Sequence, residues 1–227
     1  MVFGVKTKGL REAEELVERA VNFSKEGKYN EAYKSLAEAH EVLLSLPRDE
    51  QEVEYFKTLM NVTYGLTATS YNLNLSNEVL KWSGKYMDAA KKLYKMVREK
   101  GESFSFPLFI KTFPSAYLVW EFKARILQEL GRIHDALESL DEILGKEKDI
   151  GLPFTPYLNV LEGYEAYLRK IRFLLVARLA APDLFEKEEE VIQITESDRL
   201  RIIDKYVELG YPKEAALGDF EETLRLG

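Results

Sequence analysis

The chain contains no cysteine and only two histidines, His40 and His134. The missing cysteine removes disulfides, thiolate catalysis and cysteine-ligated zinc together. The shortage of histidine leaves no HExxH pair. Nor is there a di-iron Glu-x-x-His phrase, because Glu38 stands two residues before His40 and Glu129 five before His134. Both histidines therefore read as solvated surface or hairpin-contact residues. Long apolar runs are also absent. Ile171 to Ala181 is interrupted by Arg172 and Arg178 and falls short of the roughly 20 residues a membrane-spanning helix needs. No P-loop, G-x-G-x-x-G or G-x-S-x-G phrase occurs, and no strand pattern supplies the frame such motifs need, which disfavours nucleotide and acyl-transfer chemistry. The first residues, Met1 to Arg11, lack the basic start and apolar run of an export signal, so a cytoplasmic location is expected.

What is present is a well-folded composition: 227 residues, 46% hydrophobic and 31% charged, with abundant Tyr and Phe. That length suits one elongated domain or two sub-bundles. The formal net charge of −7 disfavours nucleic acid, whose phosphates reward positive surfaces. Glu and Lys are plentiful while Gln is scarce, the direction taken by proteins of hot environments. Paired carboxylates such as Glu14 with Glu15, or Glu221 with Glu222, fit a solvated helix face and require no catalytic role.

Apolar residues recur at helical intervals almost throughout. Leu10, Ala13, Leu16, Val17, Ala20 and Phe23 form one face, and Ala32, Leu36, Ala39, Val42 and Leu43 form the next. Residues 49–82 read as one long helix or two, since Gly65 and the polar stretch Thr67 to Asn77 are weak helix formers, with Gly84 closing the segment. A loop is expected from Glu102 to Pro107, a helix starting at Pro114, and a partner helix through Ile133, Ala136, Leu140 and Ile143. The glycine- and proline-bearing stretch 146–155 reads as a linker between helical hairpins over 1–145 and a C-terminal helical sub-bundle over 156–227. Its long helix, Pro156 to Ala181, is apolar on more than one side, predicting neighbours on two faces.

Four phrases repeat: Gly27-Lys28-Tyr29-Asn30-Glu31-Ala32, Gly84-Lys85-Tyr86-Met87-Asp88-Ala89, Gly131-Arg132-Ile133-His134-Asp135-Ala136 and Gly210-Tyr211-Pro212-Lys213-Glu214-Ala215. In each, glycine suits a left-handed cap, the carboxylate suits the start of the next helix, and alanine allows close approach. With Trp120, Ala124, Leu127, Ala136, Leu140 and Ile143 around the third phrase, and Leu16, Ala20, Phe23, Ala32, Leu36 and Ala39 around the first, the chain resembles the tetratricopeptide repeat (TPR) family. The glycines recur at unequal intervals, Asn77 stands where the family places a small residue, and Arg199, Ile203 and Asp219 depart from its bulky and small positions. The resemblance therefore implies an all-α fold in which antiparallel helical hairpins stack as a short, irregular TPR-like α-solenoid. Leu10 to Leu46 by itself also looks like a microtubule-interacting and trafficking domain.

The TPR resemblance implies a non-catalytic scaffold or adaptor that binds a peptide or partner helix in a helical groove, without a cofactor or metal. The alternatives are a regulatory or trafficking module, then an all-helical enzyme or an RNA-binding protein. Arg19 with Asn22 is too sparse a match to the family's clamp for chain termini. The aromatic residues Phe104, Phe106, Phe109, Phe113, Tyr117, Phe154 and Tyr157 sit in or beside expected loops, where they either plug the helical stack or receive a partner's apolar side chains. Lys85, Lys91, Lys92, Lys95 and Arg98, interleaved with Tyr86 and Tyr94, form a basic face that suits solvent, with RNA or an acidic peptide as the functional alternative. A homo-oligomer follows if apolar faces of the C-terminal helices exceed what one chain covers.

Overall fold

The computed structural model describes residues 7–47, 52–99, 106–144, 162–185 and 194–225. Among them the elements are α1 (Lys8–Lys25), α2 (Tyr29–Leu44), α3 (Val53–Asn72), α4 (Ser76–Glu99), α5 (Phe106–Glu129), α6 (Ile133–Leu144), α7 (Glu162–Ala180), a 3-10 turn (Pro182–Phe185), α8 (Glu196–Glu208) and α9 (Lys213–Arg225), with no strand. No described helix is long and apolar enough to cross a membrane. The fold is all-α, and adjacent helices pair. Two compact units form, Met1–Ile126 and Leu127–Gly227, so their division falls inside α5. The stretch 146–155, expected as a linker, lies outside the described residues.

In the first unit α1 packs on α2, α2 on α3 and α3 on α4, and α1 also reaches α3. Thr7 caps α1 by accepting from the Leu10 amide at 3.4 Å. The α1 to α2 connection is short, and the buried alanines Ala13 and Ala20 on one helix and Ala32 and Ala39 on the other let the two approach closely. Ser35 fastens the pair, donating to the Leu16 carbonyl at 2.9 Å and accepting from Arg19 Nε at 3.0 Å.

The stretch 49–82 holds two helices, but the turn is not where the glycine phrase puts it. Gly84 lies within α4, and the left-handed residue is Asn74, at φ 56°. Asparagine is the other residue that tolerates this conformation, because its short polar side chain bonds locally. The same bond closes four turns: the amide after each left-handed residue donates five residues back, Lys28 to Phe23, Leu75 to Ser70, Arg132 to Leu127 and Tyr211 to Tyr206, at 2.8 to 2.9 Å. Asn74→Ala is expected to lower stability by about 1 kcal/mol and Asn74→Gly to change it by less than about 0.5 kcal/mol. Urea unfolding of both variants checks this, and equal losses would show that the left-handed turn is not what the residue supplies.

α3 explains why its sequence looks unhelical. Thr58, Thr63, Thr67 and Thr69 are buried, and each hydroxyl donates to the carbonyl four residues back, those of Glu54, Leu59, Thr63 and Gly65, at 3.0, 2.7, 2.8 and 2.7 Å. With the hydroxyl satisfied by its own helix, threonine packs as a small branched apolar side chain. α5 corrects a second expectation, since it begins at Phe106 and runs through Pro114. Pro107, whose missing amide would be unpaired there anyway, takes the first turn. In the same unit Tyr71 stacks on Phe122 with centroids 4.6 Å apart.

In the second unit α7 is central, touching α6, α8, α9 and the 3-10 turn. Leu168, Ile171, Phe173, Leu175 and Val176 are all buried, as an all-round apolar helix requires. Thr195 begins α8 with a capping box, its hydroxyl accepting from the Asp198 amide while Asp198 accepts from the Thr195 amide.

Candidate functional site

The described groove lies wholly in the first unit, in the trough between α1 and α3 with α2 as its floor. α1 supplies Val17, Ala20, Val21, Ser24 and Lys25; α2 supplies Tyr29 and Leu36; α3 supplies Asn61, Tyr64, Gly65, Ala68, Thr69 and Asn72. Its volume is about 520 Å³, within the roughly 300–1,000 Å³ of typical ligand sites.

Ala20, Gly65 and Ala68 are small residues of its lining, and Gly65 has a packing reason to be glycine: a Cβ there would stand 2.9 Å from Leu36 Cδ1 and 3.0 Å from Cδ2. Glycine inside a helix costs about 1 kcal/mol relative to alanine, so the close contact with Leu36 offsets a real penalty. Val21 is 46% exposed, an apolar wall open to a visitor. Asn61, Asn72 and Lys25, all exposed, rim it with amides and one positive charge.

Behind the trough, α2 and α4 share an aromatic and polar cluster. Trp82 Nε1 donates to the Tyr33 hydroxyl at 3.2 Å, and that hydroxyl donates to Glu78 at 2.8 Å. His40 meets Trp82 edge-on with centroids 4.9 Å apart, and it is only 4% exposed, which makes it a packed contact and not a solvated residue. His134 is exposed. Burial first, and then the nearby Lys85, hold the His40 pKa below the ordinary imidazole value of 6.5. The fold thus prefers neutral His40, while the unfolded chain takes up the proton as pH falls through about 6.5. The contribution of neutral His40 is complete above that pH and fades as pH falls toward the lower folded value. The wild-type melting temperature is therefore expected to drop between pH 7 and pH 5 more steeply than that of His40→Leu. Parallel slopes would overturn this.

The second unit holds a buried polar network. Asp219, fully buried, accepts from Arg172 Nε at 2.6 Å and Nη2 at 2.9 Å, and from the Tyr206 hydroxyl at 2.8 Å. Tyr211 donates to both oxygens of Asp141 at 2.9 and 2.8 Å, and Arg172 lies over the Tyr211 ring at 5.3 Å. Burial disfavours the charge on Arg172, but its bonds to Asp219 outweigh that and raise its pKa. Burial, then the charge of Asp219, drives the Tyr206 pKa well up. Asp219 is the acceptor of this network. Arg172 comes from α7 and Tyr206 from α8, while Asp219 itself stands on α9, so the arrangement ties these three helices together.

The residues singled out in the sequence fall differently. Phe106, Phe109, Phe113 and Tyr117 stand on α5 and not in a loop, while Phe104, Phe154 and Tyr157 lie outside the described residues. Lys85, Lys91 and Lys92 are exposed on α4, and Lys95 and Arg98 belong to the same helix. Tyr86, expected among the lysines, is buried at 1% exposure and meets Trp120 edge-on. The groove residues were missed because Gly65 was read as a weakness in a helix. The pair Gly65 and Ala68, three residues apart, was the available sign of a close helix contact. Among the described residues no group of three or more His, Cys, Asp or Glu is placed to hold a metal ion. No family model matches the chain, and neither does any curated protein or solved structure.

Proposed function

We propose that this chain is a non-catalytic interaction scaffold of TPR-like character, which binds a peptide or partner helix along the trough between α1 and α3. The carrying observation is the trough itself: an open surface of helix faces, lined in part by small residues, with a half-exposed Val21 on one wall and the exposed amides of Asn61 and Asn72. Such a surface accepts a partner's apolar side chain in the centre while the rim bonds polar groups. A cytoplasmic location and a thermophilic source belong to the same reading, on the composition given above.

The test is selection of random displayed peptides on the purified protein. Recovered peptides are expected to bind with micromolar Kd and to lose at least about tenfold in Ala68→Arg, which fills the trough with a solvated charge. Circular dichroism and melting temperature should stay unchanged. No enriched peptide, or peptides indifferent to Ala68→Arg, would overturn the reading.

A further inference from the structure

α8 carries apolar residues on two sides. Ile202 and Tyr206 are buried on a helix that packs against α7 and α9, as a surface helix with one packed face requires. Leu200, Ile203 and Val207 follow at three- and four-residue spacing and form a second stripe, with Leu200 56% and Val207 54% exposed. The other exposed large apolar residues, Val21, Leu44, Leu75, Leu130 and Leu224, fall one to a helix or in a connection. Among the described residues α8 is thus the helix that turns two of them outward on one stripe. Covering that stripe removes apolar surface from water.

Charge identifies what fits the stripe. Arg201, Asp204 and Glu208 are exposed and run along one edge of it at the same spacing, the cation in the first half of the helix and the carboxylates in the second. A two-fold axis between Ile203 and Asp204 sets two copies of α8 antiparallel. Leu200 then faces Val207 of the second copy, and Arg201 falls between the second copy's Asp204 and Glu208. Asp204 makes no ion pair among the described residues. Arg201 bonds Asp183 at 3.0 Å, and Glu208 bonds Lys205 at 2.9 Å, but exposed pairs of this kind hold their partners weakly, and the guanidinium has further donors to share. Antiparallel helices also oppose their dipoles favourably. A parallel pairing would instead set Leu200 level with Leu200 and Arg201 level with Arg201. We propose that α8 makes a two-fold, antiparallel contact with α8 of a second copy of this chain. The contact is separate from the trough, which α1, α2 and α3 line, and it stands whether or not a peptide binds there. One helix from each copy gives a small interface, so the dimer is weak and reversible, with Kd on the order of 10–100 μM.

The experiment is sedimentation equilibrium of the full chain from about 5 to about 500 μM, at about 0.15 M salt so that the net charge of −7 is screened. The chain is expected to pass from monomer to dimer across that range. Leu200→Glu and Val207→Lys, each placing a charge against an apolar residue, should weaken the dimer at least about tenfold. Leu44→Glu on α2, similarly exposed, should change it less than about twofold. Mixed one to one, Leu200→Glu and Val207→Lys should recover the wild-type Kd within about threefold, because the introduced carboxylate then faces the introduced ammonium while Val207 of one chain faces Leu200 of the other. If either variant melts early, Asp204→Arg, which sets a cation against Arg201 of the second copy, carries the same loss. A monomer at about 500 μM would leave the stripe to a different protein and overturn the proposal. So would an equal loss in Leu44→Glu, or a mixture that stays monomeric.

Discussion

Arg172→Leu is expected to lower the unfolding free energy by about 3–5 kcal/mol, because it leaves the Asp219 carboxylate buried without its counter-charge. The melting temperature should fall by on the order of 10 °C. The loss measures an abandoned charge, not the worth of the pair. Replacing both partners, Arg172→Leu with Asp219→Leu, is therefore expected to recover most of it. Two costs remain in that double variant: Asp141, 3.7 Å from the Arg172 guanidinium, has lost its counter-charge, and the Tyr206 hydroxyl, which donates to Asp219, has lost its acceptor, the latter a penalty of about 1–3 kcal/mol. Adding Tyr206→Phe should remove the hydroxyl penalty. Chemical unfolding of the series checks the sequence of losses and recoveries. If Arg172→Leu lowers stability by less than about 1 kcal/mol, water has reached Asp219 and the network is not closed.

Trp120→Ala is expected to cost about 3–5 kcal/mol, the range for deleting a large aromatic side chain from a packed core. Trp120 is 1% exposed, and Tyr86 packs against it edge-on at 6.4 Å, a contact that adds about 0.5–1.5 kcal/mol beyond area alone. The indole N–H has no hydrogen-bond partner among the described residues. Trp120→Phe should therefore cost much less than Trp120→Ala, since it removes an unpaired buried donor along with part of the ring. Unfolding in guanidinium decides between the two effects. Equal losses would mean that the N–H is satisfied after all.

Several elements were legible because their signals are local. α1 and α2 show apolar residues every three or four positions, and Gly27 lies between them. Gly131 and Gly210 likewise mark real turns, each at positive φ. Gly84 failed as a signal because a glycine in a lysine- and alanine-rich stretch is tolerated within a helix at modest cost, while Asn74 could take the turn. The threonines of α3 misled for a related reason. Propensity counts their branching against a helix, whereas burial uses it for packing once each hydroxyl bonds its own backbone.

The sequence by itself determined the helices, since 3.6-residue periodicity and capping chemistry are properties of short stretches. Only the tertiary structure decided that Leu36 meets Gly65 beside Ala20 in the lining of a trough, and that Arg172 finds Asp219 across 47 residues of chain. Such pairings depend on which faces of distant helices come together. An aspartate written into a helix reads the same whether it meets water or a buried arginine, and burial alone separates the two outcomes by several kcal/mol.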